Sequence, residues 1–152
     1  MLTVLVIDES RSRAGEICAG LALAGYQVAA ILAGADNLTA EVEKLQPDVI
    51  LIDSDSPSRD TLENLATMHK DMPRPVVMFT HDDGQEVIRD AVKAGVSAYI
   101  VDGLDPKRIK PIVEVARARF EDTQALRREL DEVSRKLSDR KLVDQAKGVL
   151  MK

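Results

Sequence analysis

Val4-Leu5-Val6-Ile7-Asp8-Glu9 is a run of four apolar residues closed by two acids, and Val49-Ile50-Leu51-Ile52-Asp53 repeats the pattern 45 residues later. Apolar runs this short and continuous, without alternation, are the mark of strands buried on both faces. Each is followed by a stretch with helical spacing. Ala14, Ile17, Cys18 and Leu21 form the first stripe, and Gly25 marks its stop. Val28 to Leu32 reads as a second, weaker strand, and Leu38, Val42 and Leu45 as a helix ended by Pro47. Leu62, Leu65 and Ala66 follow the third strand; Val76-Val77-Met78-Phe79 makes a fourth. Val87, Ile88, Ala91 and Val92 mark the next helix, and Ala98 to Val101 a fifth strand. Five such units in about 110 residues require a parallel sheet with helical crossovers, because parallel neighbours cannot be joined by hairpins. Five strands are too few for the six-stranded dinucleotide fold. The expectation is therefore an α/β, flavodoxin-like sheet in the order 2-1-3-4-5.

Composition narrows the function. The chain has 152 residues, one cysteine, no tryptophan and 3% aromatic residues. A lone cysteine makes no intrachain disulfide, and so few rings argue against a stacking surface for single-stranded nucleic acid. No basic leader precedes the first strand and no apolar run approaches membrane-spanning length. These features predict a cytoplasmic protein without membrane contact. Charge is uneven: residues 1–106 carry 8 basic and 18 acidic side chains, residues 107–152 carry 13 and 8. An acidic body with a basic tail predicts two roles in one chain.

In an open α/β sheet the functional crevice lies beyond the carboxyl ends of the strands, where the strand order reverses. Here that places Asp8 and Glu9 after strand one, Asp53 after strand three, Thr80 after strand four and Asp102 after strand five. Converging carboxylates repel unless a cation joins them or a proton stays on. Hard oxygen donors favour Mg²⁺, so Asp8, Glu9 and Asp53 are the candidate metal ligands. The first loop has no glycine, which argues against a phosphate-cradling loop. An enzyme of the phosphatase type would need an acid or a positive clamp; only His81, after Thr80, is at hand, and the expectation is no enzyme.

These positions resemble the two-component receiver domain over residues 1 to about 119: the pair Asp8/Glu9, Asp53 closing DVILID, Pro57 four residues on, Thr80 closing VVMFT, and Tyr99. The resemblance implies a phosphoacceptor at Asp53, metal at the acidic pair, and a switch that couples Thr80 to Tyr99. The chain departs from that family at Asp102-Gly103, where receivers carry a Lys-Pro pair. The lysine contacts the phosphoryl group, and an anion in its place opposes a phosphoaspartate. The expectation is a site that lacks its cation and responds to docking rather than to phosphorylation.

From Pro106 the chain reads as one long helical stretch. Leu126, Leu130, Val133 and Leu137 are spaced 4, 3 and 4, as in a coiled-coil seam, and predict a parallel homodimer over a linker of residues 120–137. Ser138-Asp139 reads as the cap of a new helix. That segment, KLVDQAKGVLMK, resembles the opening of the ANTAR domain, an RNA-binding helical module, and only its first helix falls in residues 138–152. Receiver, coil and this module together are similar to the AmiR/NasT family of response regulators, with DVILIDSDSPSRD, PRPVVMFT and AGVSAYIVDGL closest to its NasT-like members. The resemblance implies transcription antitermination on leader mRNA for nitrate/nitrite assimilation, held in check by a NasS-like nitrate-sensing partner. The alternative is an ordinary regulator switched at Asp53.

Overall fold

The computed structural model describes residues 2–101 and 105–151; of Arg11 and residues 138–151 only the backbone is described. The sheet has five parallel strands in the order β2-β1-β3-β4-β5. They are β1 (Thr3–Asp8), β2 (Gln27–Leu32), β3 (Val49–Asp53), β4 (Val76–Phe79) and β5 (Ala98–Ile100). The crossovers are helices α1 (Arg11–Leu23), α2 (Leu38–Leu45), α3 (Arg59–Asp71) and α4 (Gln85–Lys93); a 3-10 turn, Pro106–Arg108, leads into α5 (Ile109–Met151). This is the flavodoxin-like arrangement expected from the apolar runs.

The reason those runs are continuous is visible in the packing. Successive strand side chains point to opposite faces, and both faces are covered. Leu5, Ile7, Ile50, Ile52, Val76 and Met78 point to one side, onto a core with Leu38, Val42, Leu65, Met68 and Ala91 from α2, α3 and α4. Val4, Val6, Val49, Leu51, Val77 and Phe79 point to the other, onto Ile17 and Leu21 of α1 and Ile109, Val113 and Ala116 of α5. The edge strands are less buried than β1, β3 and β4, which is why their sequences are less uniformly apolar.

Two glycines set close geometry. Gly25 takes φ +87° and ends α1, a conformation that side-chain-bearing residues rarely adopt. Gly20 lets α1 approach the start of α5: a Cβ there would lie 2.6 Å from Ile109 Cδ1.

The chain divides into two compact units at Arg119/Phe120. In the second unit α5 continues without interruption to Met151, so Ser138 does not begin a new helix. The residues between Pro111 and Gly148 contain no helix breaker, and a serine is tolerated inside a helix so supported. Leu126, Leu130, Val133 and Leu137 are 51–59% exposed. The side chains of the ANTAR-like segment lie outside the described residues. Among the described residues no helix is long and apolar enough to cross a membrane.

Candidate functional site

The parallel register of β1 and β3 pairs Asp8 with Asp53 directly. Adjacent strands lie about 4.8 Å apart, so the two acids stand side by side where the strands end. Both are buried, at 4% and 7% exposure. Asp8 Oδ1 accepts the Ser10 N–H at 2.8 Å, while Asp8 Oδ2 is buried without a hydrogen-bond partner. Burial, and then the charge of Asp8, push the Asp53 carboxyl up to about 6, against the pull of Arg13.

Arg13 is the residue that the sequence reading missed. It lies in the first turn of α1, with Nε 3.6 Å from Asp53 Oδ2 and Nη1 2.8 Å from Asp55 Oδ1. Its guanidinium bridges a buried carboxylate and an exposed one. The bond to Asp55 is the main cause that raises the Arg13 pKa, and the same bond holds the Asp55 carboxyl below its usual range. The expectation that this pocket has no cation is therefore corrected. Asp102, on which that expectation rested, lies outside the described residues, and a positive charge reaches Asp53 from α1.

Thr80 and Tyr99 are joined through a third residue. Thr80 Oγ1 donates to the Asp55 carbonyl at 2.9 Å and accepts the Asp82 N–H at 3.1 Å. The Tyr99 hydroxyl donates to the Asp82 carbonyl at 2.6 Å, and burial pushes its phenol up. Ser56 Oγ donates to Asp82 Oδ2 at 2.7 Å. The Gly84 N–H bond and then this one hold the Asp82 carboxyl low. A continuous hydrogen-bonded path thus runs from the loop after β3, through Thr80 and Asp82, to β5.

The acid pair fits a divalent cation. An orphaned buried carboxylate oxygen on Asp8 beside the Asp53 carboxylate offers hard oxygen donors, and Mg²⁺ commonly takes one or two carboxylates with water completing its shell. Asp8 and Asp53 would hold it, and the ion would screen the charge of an incoming phosphoryl group. Glu9, one residue beyond β1, is exposed. Among the described residues no three acidic, histidine or cysteine side chains gather as a metal cluster. The His81 side chain is exposed.

Two buried acids at the carboxyl ends of β1 and β3, a buried hydroxyl after β4 and a tyrosine on β5 make the pattern of one family. Residues 4–114 match the response regulator receiver domain. This chain belongs to that family. Receivers are regulatory modules. Among its relatives, the transcriptional regulatory protein PdtaR of Mycobacterium tuberculosis is 29% identical over 126 residues, covering 83% of this chain and 62% of PdtaR. The DNA-binding response regulator MtrA of Mycobacterium leprae is 30% identical over 122 residues, covering 80% of this chain and 54% of MtrA. The chain thus spans roughly half to three fifths of these relatives. Its fold is similar to the CheY-like receiver domain protein of Methanospirillum hungatei, with a TM-score of 0.69, 22% identity, and coverage of 81% of this chain and 98% of that one.

Proposed function

We propose that this chain is the signal-receiving part of a transcription antiterminator, with its input at Asp53 and its output along the helix beyond Arg119. The observation that carries the input is the guanidinium of Arg13 at Asp53. A phosphoaspartate carries nearly two negative charges and requires cationic, hydrogen-bonding partners. Arginine presents a planar fork suited to phosphate oxygens, so the charge argument against phosphorylation loses its basis. An acyl phosphate donor passes its phosphoryl group to a carboxylate oxygen of Asp53 and leaves as the free carboxylate. Thr80, Asp82 and Tyr99 then carry the change toward β5.

The output reading has separate support. PdtaR, a relative over most of this chain, is a transcriptional regulatory protein. The segment KLVDQAKGVLMK resembles the ANTAR opening, which supports leader mRNA as the target of the full regulator. The seam of Leu126, Leu130, Val133 and Leu137 is exposed, and apolar surface of this kind is covered by a partner helix. A parallel homodimer covers it with the fewest assumptions.

A second reading keeps Asp53 unmodified. In it a NasS-like nitrate sensor holds the chain inactive through the seam, and the exposure of those four residues favours it. One experiment separates the two. The protein is incubated with acetyl phosphate and Mg²⁺, and intact mass is measured. A stoichiometric phosphoryl adduct, absent in Asp53→Asn, is the expected result. No adduct in the wild type gives the second reading the field.

A further inference from the structure

The acid cluster already contains a cation of its own. The Arg13 guanidinium lies between Asp53 Oδ2, at 3.6 Å, and Asp55 Oδ1, at 2.8 Å. Asp55 is exposed, with 73% of its side-chain surface open, whereas the Asp53 side chain is 9% open. The shorter contact is thus made to the outer carboxylate. Beside Asp53, as its partner across the β1/β3 ladder, stands Asp8, 4% exposed, with Oδ2 buried and receiving no N–H donor. When all three carboxylates are ionised, one guanidinium leaves them two negative charges in surplus, the charge of one divalent cation.

The same geometry makes the arginine an obstacle to that cation. An ion seated on Asp8 and Asp53 is a close neighbour of a guanidinium 3.6 Å from Asp53, and like charges at such distances repel strongly in a partly buried site. Arg13 draws on the same Asp53 charge that the ion would use. It has a second anchor further out, on Asp55, to which it can withdraw by side-chain rotation, because its own side chain is one-third exposed.

We propose that Arg13 is a built-in competitor of the divalent cation at Asp8 and Asp53, with Asp55 as the anchor that receives the guanidinium when the ion binds. Metal affinity in this receiver is then set by a residue of α1 outside the ligand set. The inference rests on the reading of Asp8 and Asp53 as the input site, and does not depend on phosphoryl transfer to it.

The test is a direct titration of the full chain with Mn²⁺, followed by water-proton relaxation, and with Mg²⁺ by calorimetry. Wild type, Arg13→Gln and Arg13→Lys are compared, with thermal melts to confirm folding. Arg13→Gln, which removes the charge, is expected to bind either ion roughly tenfold more tightly than wild type. Arg13→Lys, which keeps the charge and loses the planar fork, is expected to fall between. Equal or weaker binding by Arg13→Gln overturns the proposal, as does failure of all three proteins to bind. If Arg13→Gln does not fold, Arg13→Lys decides alone: tighter than wild type supports competition, equal or weaker ends it. The acetyl phosphate experiment reports separately on the input reading. Phosphorylation without an effect of Arg13 on metal affinity would overturn competition alone; an effect of Arg13 without phosphorylation would overturn the phosphoryl input alone.

Discussion

The two units of this chain use apolar residues in opposite ways. In residues 1–119 the central strands bury theirs completely: Val4, Leu5, Val6, Val49, Ile50, Leu51, Val77, Met78 and Phe79 are all 0% exposed, and the exposed exceptions, Leu23, Ile31, Val92 and Val115, are scattered over separate elements. In the helix beyond Arg119, four large apolar side chains at heptad spacing are each more than half exposed. The first pattern completes itself within one chain. In the proposed dimer, the second is completed by the partner's helix. The contrast separates what holds the receiver together from what connects it to an output.

The sharpest way to break this contrast is a pair of substitutions. Phe79 fills the core between β4 and the α1/α5 side, and Phe79→Ala is expected to cost about 3–5 kcal/mol in urea unfolding, through lost burial and the cavity left behind. Leu130→Asp in the seam is expected to leave unfolding of the receiver unit within about 0.5 kcal/mol of wild type, as surface substitutions do. Its effect should appear in light scattering instead, where a dimer at tens of micromolar becomes a monomer. A large loss of receiver stability in Leu130→Asp, or a wild type that scatters as a monomer, would erase the distinction.

The two units also differed in how far their sequences could be read. The central strands were legible because double burial forces continuous apolar runs, and the strand-closing acids at Asp8 and Asp53 followed from the same register. Arg13 was not legible in that way. Nothing local marks an arginine 40 residues before Asp53 as its partner. The usable signal was helical: Arg13 extends the inward stripe of Ile17 and Leu21 one turn toward the strand ends, and an inward cation at that end can meet only the acids. Asp82 was missed for a different reason. Its link between Thr80 and Tyr99 runs through its backbone N–H and carbonyl, which carry no side-chain signature. In α5, the cap signal at Ser138 was a local preference overridden by a helix already running.

At the paired acids Asp8 and Asp53, burial works against stability. Asp53 is held up to about 6, above its ordinary 3.8, because burial and Asp8 disfavour its charge. The folded state therefore holds this proton more tightly than the unfolded chain. The associated stability is fully present below pH 4 and is lost as pH rises through 6. In metal-free buffer at pH 7, Asp53→Asn is expected to raise stability by on the order of 1 kcal/mol, with the gain shrinking toward pH 4. Urea melts of both proteins across pH 4–7 check it. A destabilised Asn variant at pH 7 would mean that the Arg13 pair outweighs the cost of burying the two acids.

The smallest effect marks where the receiver unit gives way to its helical extension. Tyr26, at the end of the α1–β2 connection, donates its hydroxyl to Glu114 Oε1 at 2.8 Å, and Arg117 approaches both Glu114 oxygens at 3.4 Å. This clamp ties α5 to the α1–β2 connection within the last turns before Arg119. Tyr26→Phe keeps the buried ring and removes one hydrogen bond, so its expected cost is about 1 kcal/mol. Burial first, and then the bond to Glu114, push the Tyr26 phenol up to about 12. Because the folded value lies above the ordinary 10, the contribution is intact below pH 10 and disappears as pH rises through 12. The chain has only two tyrosines, so phenolate absorbance resolves them. Wild type should show a step near pH 12 that is missing in Tyr26→Phe, leaving Tyr99 alone. A Tyr26 that titrates at its ordinary value would mean that the clamp is open in solution, and that the independence of the seam begins earlier along α5 than Phe120.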